Sequence, residues 1–128
     1  MGKEEVLMIL AKASDCLKES QVLYDAGLFS GSINRSYYAI FNAVQSVLQY
    51  KDIMVKTHQG THSQFQLHFI KTGIFSDDIK KIPQQVEQLR IKGDYEPEQQ
   101  LYKEDAEYAL SLAHQFYDVI KKYLDANN

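Results

Sequence analysis

The sequence predicts an all-α protein: an up-and-down bundle of four long helices with one additional short helix, a single domain over residues 1–128. Three observations predict it. Apolar residues recur at three-and-four spacing along nearly the whole chain, no stretch alternates with period two, and the breaks fall at points rich in Gly, Ser and Asp. A chain of 128 residues suits one core, and a hydrophobic share of 45% is too high for a disordered chain.

Each element follows in order. Val6, Leu10, Ala13, Leu17 and Tyr24 give the first helix one apolar stripe, with Gly27 as its C-terminal cap. Ser30 or Ser32 is the expected cap of the second helix, whose apolar set is Ile33, Tyr37, Ile40, Phe41, Val44, Val47 and Leu48. Lys51 to Gly60 reads as a connecting loop. A shorter helix then buries Phe65, Phe69 and Ile70 and closes at Gly73. Ser76-Asp77-Asp78 starts the fourth helix with negative charge at the positive end of the dipole, and Ile79, Ile82, Val86 and Leu89 form its stripe. Pro83 either kinks that helix or begins its second segment, and Gly93 to Pro97 reads as a turn-rich break. The last helix carries Ala106, Ala109, Leu110, Ala113, Phe116, Tyr117, Ile120 and Leu124, its alanines letting a neighbour approach closely.

Composition excludes several function classes. The formal net charge is −3, so the excess positive charge of a free-standing duplex-DNA binder is missing. A single cysteine, Cys16, rules out an internal disulfide and a Cys-based zinc finger. No apolar run approaches the roughly 18 residues of a membrane helix, no targeting segment is read, and the expected location is the cytoplasm. The nine tyrosines carry much of the aromatic bulk, each hydroxyl wanting a partner. Only two cations are arginines, Arg35 and Arg90, the side chain whose planar fork suits carboxylate or phosphate.

Among residue patterns, metal chemistry has little support. His58 and His62 stand four apart with Gly60 between them, and neither HExxH nor a Glu-x-x-His pair occurs, so neither a metal nor another cofactor is expected. The phosphate-loop signatures are absent too. On the second helix, Asn34, Tyr38 and Asn42 share one face with Arg35 beside them. Two readings fit: core tyrosines with Arg35 salt-bridged to a neighbouring helix, or a polar groove where Arg35 and Tyr38 meet a phosphate or base. Near the end of the fourth helix, Arg90 precedes Asp94 and Tyr95; Arg90 either complements the negative helix end while Asp94 caps the turn, or serves a site.

Taken together, Ser36-Tyr37-Tyr38-Ala39-Ile40-Phe41-Asn42-Ala43, Lys56-Thr57-His58-Gln59-Gly60 and Arg90 with Gly93-Asp94-Tyr95 resemble the HEPN family, in its small single-domain prokaryotic members. Phe116 and Tyr123-Leu124 fit the final helix, and the resemblance spans about residues 5–125. It implies a four- or five-helix bundle, often a homodimer with a cleft across the pair. Many such proteins look like metal-independent ribonuclease toxins encoded beside a minimal nucleotidyltransferase antitoxin. Their signature is an Arg followed four to six residues later by a His, the Arg neutralising phosphate and the His moving protons at the ribose 2′-hydroxyl and the leaving oxygen. After Arg90, those positions hold Tyr95, Glu96 and Pro97 instead. The resemblance therefore implies a binding module for a nucleotide or nucleic-acid phosphate, for a nucleotidyltransferase partner, or for both. Asn34, Arg35, Tyr38 and Asp94 are its candidate binding residues. The alternatives are a ribonuclease toxin using Arg90 with His58 or Tyr95, and a non-catalytic helical scaffold. Tyr95 is also a candidate acceptor of an adenylyl group from the partner.

Overall fold

The computed structural model describes the backbone of residues 2–95 and 103–127, and the side chains of the same residues except 94 and 95. Five α-helices follow one another: α1 (Lys3–Asp25), α2 (Phe29–Tyr50), α3 (His58–Phe65), α4 (Asp77–Tyr95) and α5 (Lys103–Ala126). α3 passes directly into a π-helical turn, Gln66–Ile70, in which the Lys71 amide reaches back five residues to the Gln66 carbonyl at 2.9 Å. The expected bundle of four long helices and a short one is what forms, and among the described residues there is no strand.

Helix α2 is the centre of the arrangement. It packs against α1, α3, α4 and α5, and among the described residues it is the helix that touches every other. Its face made of Ile33, Tyr37, Ile40, Val44, Val47 and Leu48 is fully buried. Ala39 and Ala43 on α2 and Ala106, Ala109 and Ala113 on α5 are buried as well, which lets these backbones pack closely. At one end of the core, Phe65, Phe69, Phe75 and Phe116 form a block of rings 5.6 to 5.9 Å apart. Tyrosine hydroxyls tie helix to helix: Tyr24 on α1 donates to Glu107 on α5 at 2.9 Å, and Tyr50 on α2 donates to the Asn127 carbonyl at 2.9 Å. Among the described residues no helix is long and apolar enough to cross a membrane.

Three element boundaries differ from expectation, each for a physical reason. α1 ends as foreseen at Gly27, whose φ of 79° allows the Leu28 amide to reach the Leu23 carbonyl and the Gly27 amide the Tyr24 carbonyl, a Schellman turn. That turn is so short that α2 starts at Phe29 with Leu28 in the N-cap position, so neither Ser30 nor Ser32 caps it. Ser32 is instead buried in a trio. The Ser20 and Ser32 hydroxyls each bond the other residue's carbonyl, at 2.7 and 2.9 Å, and Ser20 lies 2.8 Å from the Ser36 hydroxyl. The expected loop from Lys51 to Gly60 ends earlier, because α3 begins at His58 and contains Gly60. The break expected from Gly93 starts later, because α4 runs through Pro83 and Gly93 as one helix to Tyr95. Glu96 and Pro97 lie outside the described residues.

Within the trio Ser36 relies on the Ser20 hydroxyl, whereas Ser32 also reaches the carbonyl of residue 20. Ser20→Ala is expected to destabilise the protein by ~1–3 kcal/mol, the usual cost of leaving a buried hydroxyl without its partner. A urea denaturation midpoint unchanged by the substitution contradicts that account.

Candidate functional site

The start of α3 is built by Thr57 and Gly60. Thr57 has extended backbone, and its hydroxyl accepts from the Gly60 amide at 2.9 Å, capping the helix. A Cβ on residue 60 would stand 2.8 Å from that hydroxyl, so the glycine makes room for the cap rather than breaking the helix. Thr61 donates back to the Thr57 carbonyl at 2.8 Å and accepts from Gln45 of α2 at 3.4 Å, which pins the first turn of α3 against α2. His58 and His62 are thereby one turn apart on one short helix.

Both histidines meet Tyr37. The Tyr37 ring is fully buried in α2, yet its hydroxyl lies 3.3 Å from Nδ1 of His58 and 3.2 Å from Nε2 of His62. It donates to Oε2 of Glu87 on α4 at 3.2 Å. Over the face of the same ring, at 4.6 Å from its centroid, lies the guanidinium of Arg90, which also pairs with Glu87 at 3.9 Å. His58 stacks on Phe41 at 4.3 Å. One tyrosine thus joins side chains from α2, α3 and α4. His58, His62 and Glu87, with Lys80, Gln84 and Gln66, line a cleft of about 500 Å³ between α3 and α4.

The candidates on α2 form a second, adjoining group. Tyr38 stands edge-on to Tyr37 with ring centroids 5.2 Å apart, and the Arg35 guanidinium lies 5.1 Å above the Tyr38 ring. Arg35 also pairs with Glu19 of α1 at 3.4 Å and donates to the Asn34 side-chain oxygen at 3.1 Å. The salt bridge to a neighbouring helix is therefore present. Each arginine sits on its own tyrosine and beside its own carboxylate. They differ in access: the Arg90 side chain is 15% exposed and that of Arg35 is 34% exposed. Asn42 turns inward, donating to the Tyr38 carbonyl and to Cys16.

Arg90 and His58, distant in sequence, are thus linked through Tyr37, with His58 on a helix rather than in a loop. Asp94 and Tyr95 fall in the last turn of α4, and their side chains lie outside the described residues. Sequence reasoning missed His62, Glu87 and the hydroxyl of Tyr37. The signals were present: His58 and His62 are four apart, and Glu87 and Arg90 are three apart, each a same-face helical spacing. Among the described residues no group of three or more His, Cys, Asp or Glu is arranged to hold a metal ion.

Electrostatics distinguish the members. Burial pushes the Tyr37 phenol far up, with Glu87 adding to the effect and Arg90 opposing it, so it stays protonated. Burial holds the His62 imidazole below its ordinary value; Glu87 counteracts this and His58 reinforces it. His62 is therefore neutral at pH 7. Below about pH 6.5 the unfolded chain binds a proton at this residue more readily than the folded one, so stability falls as pH drops through that value. Tyr37, His58 and Glu87 lie against the group, and a His62→Gln substitution leaves all three of those side chains unaltered. That variant is expected to show a flatter loss of stability between about pH 7 and 5 than the parent in urea titrations. Parallel profiles would refute it.

Comparison with known proteins finds relatives that span nearly the whole chain. A model of the HEPN domain matches residues 6–123. The chain is 32% identical over 126 residues to "Putative toxin MJ0142" of Methanocaldococcus jannaschii, covering 98% of this chain and 86% of that protein. It is 30% identical over 122 residues to "Putative toxin MJ0605" of the same organism, covering 95% and 90%. A "UPF0332 protein" of Thermotoga maritima is 27% identical over 114 residues, covering 89% and 86%. The fold is similar to that of TT1696 from Thermus thermophilus, with a TM-score of 0.79 over 94% of this chain and 98% of that one, at 13% identity.

Proposed function

The chain belongs to the HEPN family, and from that premise we propose that it is a toxin-like protein holding a phosphate of a nucleotide or an RNA strand beside Arg90. The observation that carries this reading is the Arg90 guanidinium held over the Tyr37 ring, whose hydroxyl meets two histidines on the wall of a cleft of about 500 Å³. A guanidinium fixed in place by an aromatic face loses little freedom when it engages a phosphate through two N–H groups. The incoming anion competes with Glu87 for Arg90, and Lys80 on the cleft wall adds positive charge. Arg35, on the neighbouring Tyr38 and supported by Asn34, is the second anchor, suited to the next phosphate of a strand. Asp94 lies one helical turn beyond Arg90 and Tyr95 follows it, the proposed site of adenylyl transfer.

In this reading the protein acts with a minimal nucleotidyltransferase, as one half of a toxin–antitoxin-type pair, and as a homodimer. Exposed Val22 and Leu28 at the turn between α1 and α2 offer apolar surface for association. Co-purification and sedimentation velocity test the two contacts, and mass spectrometry of the co-expressed pair tests Tyr95.

A specific observation favours a second reading, metal-independent ribonuclease activity: His58 and His62 both meet the hydroxyl of the tyrosine whose ring carries Arg90. Two imidazoles can divide the work of general base and general acid. One, neutral, takes the 2′-hydroxyl proton as that oxygen attacks phosphorus, and the other, in its imidazolium form, gives a proton to the departing 5′-oxygen. Arg90→Ala is expected to weaken binding of a labelled RNA oligonucleotide by about tenfold or more, a loss of ~1.4 kcal/mol. Arg35→Ala is expected to cost less, since that side chain is the more exposed of the two. Fluorescence anisotropy measures both, with circular dichroism confirming the fold, and equal affinity in the Arg90 variant removes the proposal. Cleavage of the oligonucleotide in EDTA, lost on His58→Ala, selects the ribonuclease reading over simple binding.

A further inference from the structure

We infer that Tyr37 is a positioning residue that sets the two cleft histidines in opposite tautomers through its single hydroxyl. The argument is a count of protons. A phenol carries one hydrogen and accepts through its lone pairs, while a carboxylate only accepts. The Tyr37 hydrogen goes to Oε2 of Glu87 at 3.2 Å. Two further polar atoms lie within hydrogen-bonding distance of the same oxygen, Nδ1 of His58 at 3.3 Å and Nε2 of His62 at 3.2 Å. With the hydroxyl's hydrogen already placed, both nitrogens must carry theirs. Neutral His58 is then protonated on Nδ1 and neutral His62 on Nε2.

The consequence is a cleft with a defined proton inventory. Nε2 of His58 and Nδ1 of His62 are left as the unprotonated nitrogens of two rings that line the same cavity. Each is able to take a proton from a ligand, or to accept a hydrogen bond from one. Neighbouring contacts hold the geometry: His58 stacks on Phe41 at 4.3 Å, and Thr57 and Thr61 fix the start of α3. The same tyrosine ring carries Arg90. One side chain of α2 thus sets both where the cation lies and which imidazole nitrogens are basic. The functional weight of this arrangement rests on the reading of the cleft as a phosphate site, whereas the tautomers themselves do not.

Two variants separate the hydroxyl from the ring. Tyr37→Phe keeps the aromatic face beneath Arg90 and removes only the oxygen. Glu87→Ala removes the obligate acceptor, so the Tyr37 hydrogen is released to one of the imidazoles. The measurement is long-range proton–nitrogen NMR on the full chain with labelled histidine, at about pH 8, where ordinary imidazoles are neutral. In the parent protein His58 is expected in the Nδ1–H form and His62 in the Nε2–H form. In Tyr37→Phe at least one ring is expected to lose its single tautomer, and in Glu87→Ala one ring is expected to switch. Finding both parental rings in the same tautomer overturns the inference, even if neither variant folds. So does an unchanged pattern in both folded variants. A parent protein with the expected tautomers that fails to bind the labelled RNA leaves this role of Tyr37 standing and removes the phosphate-site reading.

Discussion

A tyrosine oxygen placed at the inner edge of a helical core must find partners, because leaving a hydroxyl dry and unbonded costs on the order of 1–3 kcal/mol. Tyr37 is fully buried on the central helix, so this requirement constrains everything packed around it. α3 supplies two imidazoles and α4 a carboxylate, and those contributions hold only at particular rotations of both helices. The apolar faces alone would accept neighbouring rotations. The polar knot selects one, and the cleft between α3 and α4 follows from the selection.

The same knot holds one of the chain's two arginines. With a net charge of −3 the chain has no excess positive charge to draw an anion from a distance, so its local cations are what matters. Both arginines are placed on tyrosine faces, Arg90 on Tyr37 and Arg35 on Tyr38, while the far more numerous lysines are mostly on the surface. Each arginine is also balanced by a carboxylate, Glu87 or Glu19. That balance leaves neither guanidinium without an opposing carboxylate.

Much of the architecture was legible because helical periodicity reports the buried face directly. The stripes from Val6 to Leu17 on α1 and from Ala106 to Leu124 on α5 are buried as read, except that Tyr117 is only half-buried. What stayed hidden depends on neighbours that no local window contains. Ser32 has the chemistry of a helix cap, and only the position of Ser20 on α1 turns it into a member of a buried trio. Gly60 reads as a helix breaker unless one knows that Thr57 needs the space of its missing Cβ. Glu87 has no distinctive spacing beyond Arg90, and its importance arises from a hydroxyl fifty residues earlier. The core was written in one-dimensional pattern; the site was written in convergence.

The wide turn at Gln66–Ile70 gives the short helix a phase. Upstream of it stand the two imidazoles; within it, Phe69 is locked among Phe65, Phe75 and Tyr123. The turn is wide because it holds one residue more than an α-helical turn, so losing one there would restore ordinary winding and keep the upstream segment nearly in phase with its aromatic anchor. Chain length at this point is therefore more forgiving than identity at Phe69, whose buried ring has no room for exchange.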